Sequence, residues 1–435
     1  MQFYFARKFF SYRQRKYFPS ILIIIDYKDL QLMIRKHCRL NNQNRNKFFF
    51  FLLHYLLITD IHCRCFNKCL LISSIVIALL TIGVITTVVV ISLVKAETKR
   101  KVTTTGRMKT FLFIYIIIYC YGKLVVLRWN TTGITIIGVS GISGNTSNLL
   151  FEPWDLAMDW SNAIYVTEIR NNRVQKFSLN SKTGITVAGL ANLTGCSSLK
   201  CLKSPLGIIV DDNKNLYISD RDNDRVVYWS NGASIGTLYA GTGSTSLTAL
   251  DEPYGLAHDS SSNKIYIADF FNHRIVHRSS TNSSINVIVA GGNGNGTNGS
   301  QLLLPNAIHY DAFMKSLLIV NTGSHNVVRW TLGANNWTLA GGGTTGAGST
   351  PFHLKSPTDV TLDPMGNMYV VDRNNHRIQF FSSGQLNGTT IAGVTGVSGD
   401  NTTLFNFPAS MILDNQLNLY VVDRYNHRVQ KFIRY

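Results

Sequence analysis

Carboxylates and guanidinium groups recur at one fixed spacing through the last 300 or so residues of this 435-residue chain. The pairs are Glu168/Arg173, Asp220/Arg225, Asp269/Arg274, Asp372/Arg377 and Asp423/Arg428. Such groups could move protons or clamp an anion. A catalytic centre, however, gathers unlike residues at one point. These pairs return once per unit, in five of six units. The spacing therefore predicts an ion pair that ties a turn or bridges to the next unit. A second series, Asp159, Asp211, Asp259, Asp311, Asp363 and Asp414, is present in all six units. Aspartate accepts backbone N–H bonds in tight turns, so these residues are predicted to close one turn per unit.

Histidine is the next group to weigh, because a catalytic zinc needs three or four converging ligands. His273, His325, His376 and His427 fall in a repeated turn. His258 and His309 lie five and four residues after their respective prolines, which on a strand gives opposite faces. His277 and His353 have no partner at useful spacing. No metal site, cofactor site or catalytic residue is predicted, and the chain is read as a non-enzyme. The glycine-rich run 291–296 opens no helix, so it does not mark a nucleotide site. Cys196 and Cys201 lie in one loop and would form a small disulfide in an oxidising compartment, adding little stability. Asn130, Asn145, Asn192, Asn282, Asn295, Asn298, Asn336, Asn387 and Asn401 each begin an N-glycosylation signal. Most of them fall in loops around the fourth strand of each unit.

The elements that carry these residues follow from six prolines, Pro153, Pro205, Pro253, Pro305, Pro357 and Pro408, spaced 48 to 52 apart. Each opens a unit of four short apolar runs, rich in Ile, Val, Tyr and Leu, separated by Gly/Asn/Ser turns. The runs centred on Tyr165, Tyr217, Tyr266, Leu318, Tyr369 and Tyr420 are second strands. The fourth ends in Gly138, Gly189, Gly241, Gly291, Gly341 or Gly393. Four strands in about 50 residues is the size of a propeller blade. The ends decide against an open solenoid. Ile134–Gly138 is a fourth strand without its first three, and Pro408–Tyr435 is three strands without a fourth. Together they complete a sixth blade and close a ring without open edges.

The segments 357–381 and 408–432, with Asn272-His273-Arg274, Asn375-His376-Arg377 and Asn426-His427-Arg428, resemble NHL repeats. The resemblance covers about 130–435. It implies an all-β, six-bladed β-propeller. Blade four departs most, with Asn321 and Asn326 in place of the acid and the arginine. The arrangement also resembles membrane-anchored NHL propellers found in invertebrate genomes. Intracellular members of the family couple to ubiquitin ligases or bind RNA, and one propeller branch, the peptide-amidating lyases, uses zinc.

The N-terminal third is different. Residues 1–129 hold 21 basic and 4 acidic residues, whereas 130–435 are nearly balanced, so no nucleic-acid partner is expected for the propeller. Residues 1–68 read as a basic tail, or in part as translated non-coding sequence. Residues 69–94 are uncharged and long enough for a transmembrane helix. Residues 95–129 form a linker with a second apolar run at 111–121. Both flanks of the span are basic, which leaves three topologies: a single-pass type II protein, two helices, or a signal peptide starting at Met108. Cys38, Cys63, Cys65 and Cys69 lack the paired spacing of a zinc-binding RING. The reading is a membrane-anchored, extracellular propeller that binds a protein or glycan ligand. The alternatives are an intracellular propeller coupling to ubiquitin-ligase or RNA-binding partners and, ranked behind it, an enzyme of the peptide-amidating-lyase type.

Overall fold

The computed structural model describes residues 127–435, except 191, 242–248, 279–285 and 345. The basic tail, the apolar span and the linker as far as 126 lie outside the described residues. No helix among the described residues is long and apolar enough to cross a membrane.

Six four-stranded antiparallel sheets follow one another. Blade one runs Pro153–Met158, Ile164–Glu168, Arg173–Phe177 and Ile185–Ala188. Blades two to five start at Pro205, Pro253, Pro305 and Asp359. Blade six takes Pro408–Leu413, Leu419–Asp423 and Arg428–Phe432 from the end of the domain and Ile134–Gly138 from its start, and Ile134–Gly138 pairs with Arg428–Phe432. Each first strand packs on the first strands of both neighbours, blade six against blade one included, so the ring is closed about a central axis. Trp129 belongs to this domain too. It is buried, donates from Nε1 to the Leu417 carbonyl at 2.8 Å and packs edge-on against Tyr369.

Second strands such as Ile164–Glu168 and Met368–Asp372 are buried along their whole length. They sit mid-blade with a neighbouring sheet on each face, which is why they read as unbroken apolar runs. Their side chains pack between blades: Val166 and Leu156 of blade one share a cluster with Leu206 of blade two and Val422 of blade six. Each such side chain contributes roughly 1.5–3 kcal/mol.

The glycine that ends the fourth strand is required where the chain turns at positive φ. At Gly138 (φ +79°) a Cβ would run into the His427 carbonyl. In blade four this place belongs to Gly342 (φ +75°), one residue beyond the Gly341 read from the sequence. Gly341 stands opposite Val327, where blade two sets Ala240 opposite Val226.

The blades are tied by two consecutive amide groups ahead of each proline. The first, two residues before the proline, donates to the acid that ends the second strand of its own blade. Lys203 donates to Asp220 at 2.6 Å, Lys355 to Asp372 at 2.7 Å and Asn406 to Asp423 at 2.7 Å; Phe151, Asp251 and Leu303 do the same to Glu168, Asp269 and Asn321. The second, immediately before the proline, donates backwards to the previous blade. Ser204 reaches Asn172, Glu252 reaches Asp224, and Leu304, Ser356 and Phe407 reach Nδ1 of His273, His325 and His376 at 3.1–3.2 Å. Glu152 donates to His427 at 3.2 Å and closes the ring. The accepting residues sit in the left-handed region, at φ between +49° and +58°.

The acid–arginine pairs complete this seam. Arg377 Nε is 2.7 Å from Asp372, and its remaining N–H groups bond the carbonyls of Ser349, Thr350 and His353 in the connector from the previous blade. Arg225 does the same toward Ser197, Ser198 and Cys201, and Arg428 toward Asp400, Asn401 and Leu404. Glu168/Arg173 and Asp269/Arg274 pair at 2.6 Å. The other acid series closes the turn after the first strand: Asp159, Asp211, Asp363 and Asp414 each accept two backbone N–H bonds, and Asp259 and Asp311 accept from Ser261 and Met314.

The four clasp histidines accept at Nδ1 and are pushed below the usual imidazole range, first by burial. A folded pKa below the unfolded one means that their stabilisation is complete above about pH 6.5 and is lost as pH falls further. Replacing His273, His325, His376 and His427 by Asn, the residue blade one already uses, keeps an acceptor in a side chain that tolerates this backbone. Denaturant melts of this variant are expected to match the parent near pH 7.5. From pH 7 to 5 its stability should fall less than the parent's. The corresponding Ala variant should lose about 1 kcal/mol per clasp near pH 7.5 and less than that at pH 5, where the parent's clasps are already weakened.

Candidate functional site

One position per blade, the residue after the second-strand acid, breaks the six-fold pattern. It is occupied by Ile169, Arg221, Phe270, Thr322, Arg373 and Arg424. Local geometry fixes its place, because the acid is anchored by the seam and a 3-10 turn or bend follows it at once. Arg373 and Arg424 directly, and Phe270 through Tyr254, gather around Trp154 of blade one. The indole packs edge-on against Tyr254 of blade three at 5.8 Å and lies under Arg373 of blade five at 5.8 Å and Arg424 of blade six at 4.9 Å. Alternate blades of a six-membered ring meet only at its axis, so this cluster covers the mouth of the central channel on the face of the repeated turns. Tyr254 is stacked on Phe270 at 4.1 Å, and Phe271 beside it is 47% exposed, so the aromatic wall reaches solvent.

Beside Trp154 lies a second asymmetric group. Two residues after the prolines the blades carry Asp155, Gly207, Gly255, Ala307, Asp359 and Ser410. On one side the backbones touch: a Cβ on Gly207 would collide with the Tyr254 carbonyl. On the other, carboxylates span the gap. Asp155 accepts the Ile208 amide at 3.0 Å and Asp359 the Met411 amide at 2.8 Å. Ser410 Oγ stands between them, 2.6 Å from Asp155 and 2.8 Å from Asp359. A hydroxyl has one proton, so two such short contacts require a second proton, held by a carboxyl. Burial pushes Asp155 up to about 6. Burial, then the charge of Asp155, pushes Asp359 up to about 7.

The residues singled out by sequence lie elsewhere. The repeated acids, arginines and turn histidines are in the seams. His258 Nε2 meets Asn263, and His309 contacts Thr361 at 3.5 Å and is pushed down to about 4 by burial. No group of three His, Cys, Asp or Glu side chains able to hold a metal is found among the described residues. Cys196 and Cys201 form a disulfide, Cα to Cα 5.6 Å. Eight of the nine glycosylation asparagines are exposed, and Asn282 lies outside the described residues. The mouth residues share no motif that repeats from blade to blade. The signal was the opposite: positions inside a regular repeat where residue type stops repeating.

Because the native Asp155–Ser410–Asp359 group holds a proton that the unfolded chain releases near pH 4, its share of stability falls as pH rises from about 4 to 7 and then levels off. A titration of carboxyl-labelled aspartate by carbon NMR should show one resonance with a midpoint between pH 6 and 7, absent from D359N. Aspartates that all titrate below pH 5 would contradict the shared proton.

The model for the NHL repeat matches residues 152–177, 354–381 and 405–432, in blades one, five and six. NHL repeat-containing protein 3 of Mus musculus is 31% identical over 128 residues, 28% of this chain and 36% of that protein, so the match spans about a third of its length. Among solved structures, a protein of unknown function from Bacteroides thetaiotaomicron aligns at TM-score 0.54 and 17% identity over 71% of this chain and 77% of its own. An auxiliary nutrient binding protein of the same species aligns at 0.50 and 16% over the same shares. At these identities the likeness shows the fold. Three blades of the closed, all-β, six-bladed propeller match the NHL repeat.

Proposed function

We propose that the chain is a membrane-anchored, extracellular NHL propeller that acts as a non-enzymatic binding or scaffold module for a protein or carbohydrate ligand, taken up at the mouth of the central channel. The observation that carries this reading is the mouth itself. There, residues from blades one, three, five and six meet without repeating, while the repeated acid–arginine pairs and turn histidines are absorbed by the seams. A scaffold that is symmetric except at one exposed, aromatic and cationic patch suits recognition.

Three features support the extracellular placement. The uncharged run 69–94 is long enough to span a bilayer. The Cys196–Cys201 disulfide suits an oxidising compartment. The exposed glycosylation signals sit in loops flanking fourth strands, where a glycan meets no packed neighbour.

The full-length protein expressed in animal cells is expected in the membrane fraction, with a mass that drops on enzymatic removal of N-glycans. A membrane-bound protein whose mass does not change would reject the extracellular reading and favour an intracellular, partner-binding propeller.

A further inference from the structure

The arginines at the mouth are not balanced by carboxylates. Glu152 serves two of them, Arg170 at 3.1 Å and Arg424 at 2.7 Å. Arg221 is paired with Asp222 at 2.7 Å. Arg373 has no carboxylate within 4.0 Å among the described residues; its guanidinium lies over Trp154 at 5.8 Å and Phe407 at 5.4 Å. Arg373 and Arg424 thus share the indole of Trp154, two cations held on one ring. The Nε atoms of both are buried and meet no acceptor. Burial first, then the charge of Arg424, pushes Arg373 below the usual guanidinium range. A half-buried cation facing a second cation is costly unless an anion is shared between them. A guanidinium fork matches a carboxylate in shape and charge, and two forks on a common aromatic floor match it better.

We propose that Arg373 and Arg424 form an anion site at the channel mouth that binds a carboxylate group of the ligand, with the ligand's apolar face against Tyr254 and Phe270. This rests on the binding-module reading and narrows it to ligands that present a carboxylate. An acidic sugar and a peptide C-terminus both supply that chemistry. Arg221, which pairs with Asp222, borders the site, and Arg424 stands with Arg373 because it shares its one carboxylate, Glu152, with Arg170.

The test uses the full-length protein in detergent and four probes: N-acetylneuraminate and its methyl ester, and N-acetylphenylalanine and its amide. Binding is followed by the indole fluorescence and by the Nε–H resonances of the arginines. Each acid is expected to bind at least tenfold more tightly than its neutral counterpart, about 1.4 kcal/mol. R373Q should remove that preference, whereas R373K should keep part of it. K182Q, an exposed substitution between the third and fourth strands of blade one, should leave it unchanged. Preference for the sugar acid over the peptide acid, or the reverse, identifies the source of the carboxylate. Equal behaviour of acid and neutral probes, including no binding of either at about 10 mM, overturns the proposal, as does an acid preference that survives R373Q/R424Q. Neutral probes that bind equally well and are lost in Y254A would remove the anion site yet keep the mouth as a binding surface. The glycan test above is independent of these variants.

Discussion

Two adjacent amide groups ahead of each first-strand proline fix the placement of every blade. Proline has no N–H, so the connector arriving from one blade must place its last two donors before the new strand begins. One goes forward to a buried acid, the other back to a side chain in the left-handed turn. The connector is therefore held by both blades at once. Everything else at the seam follows from that demand. The acid must be buried to reach the first amide. A buried acid needs a counter-charge, and the arginine that supplies it spends its remaining N–H groups on connector carbonyls. Removing one member of such a pair costs on the order of 3–5 kcal/mol, because the other is left buried and unpaired. Blade four illustrates the rule by exception. Asn321 and Asn326 replace acid and arginine together, so no lone charge is buried, and Asn321 still accepts the Leu303 amide at 2.6 Å.

A rigid, repeated frame leaves the inner surface free to vary. The seams occupy a shell around the axis, and the residues just inside it are set by the same anchored turns without being needed by them. That is where Trp154, Tyr254, Phe270, Arg373 and Arg424 gather, and where Asp155, Ser410 and Asp359 share a proton. The two groups differ in character. The arginines have too few anions and are open to solvent through the aromatic wall. The acids are satisfied by backbone amides and a hydroxyl, and they bind blades five, six, one and two on one side of the axis, whereas on the other side Gly207 and Gly255 let the backbones of blades two, three and four approach closely.

Much of the frame was legible in the sequence because its physics repeats. Six prolines, six turn aspartates and complementary chain ends are enough to count blades and to infer closure. The ion pairs were legible as structural for the same reason. The clasp was half legible: the histidines were placed in the right turn, but a hydrogen bond that Nδ1 accepts from an amide some 30 residues away leaves no trace in spacing. The shift from Gly341 to Gly342 in blade four was hidden by three consecutive glycines, any of which could take positive φ. The mouth was not legible at all by a search for repetition, since its residues come from four blades and share no motif.

The account stands or falls on the seams, and native-state hydrogen exchange measures them directly. The two amides before each proline should exchange only through global unfolding, at all six seams alike, with Phe151 and Glu152 at the closing seam as slow as Lys203 and Ser204 between blades one and two. Rapid, loop-like exchange at Phe151 and Glu152 in an otherwise protected domain would contradict the account, because the ring would then be held without the bond that is described here as closing it.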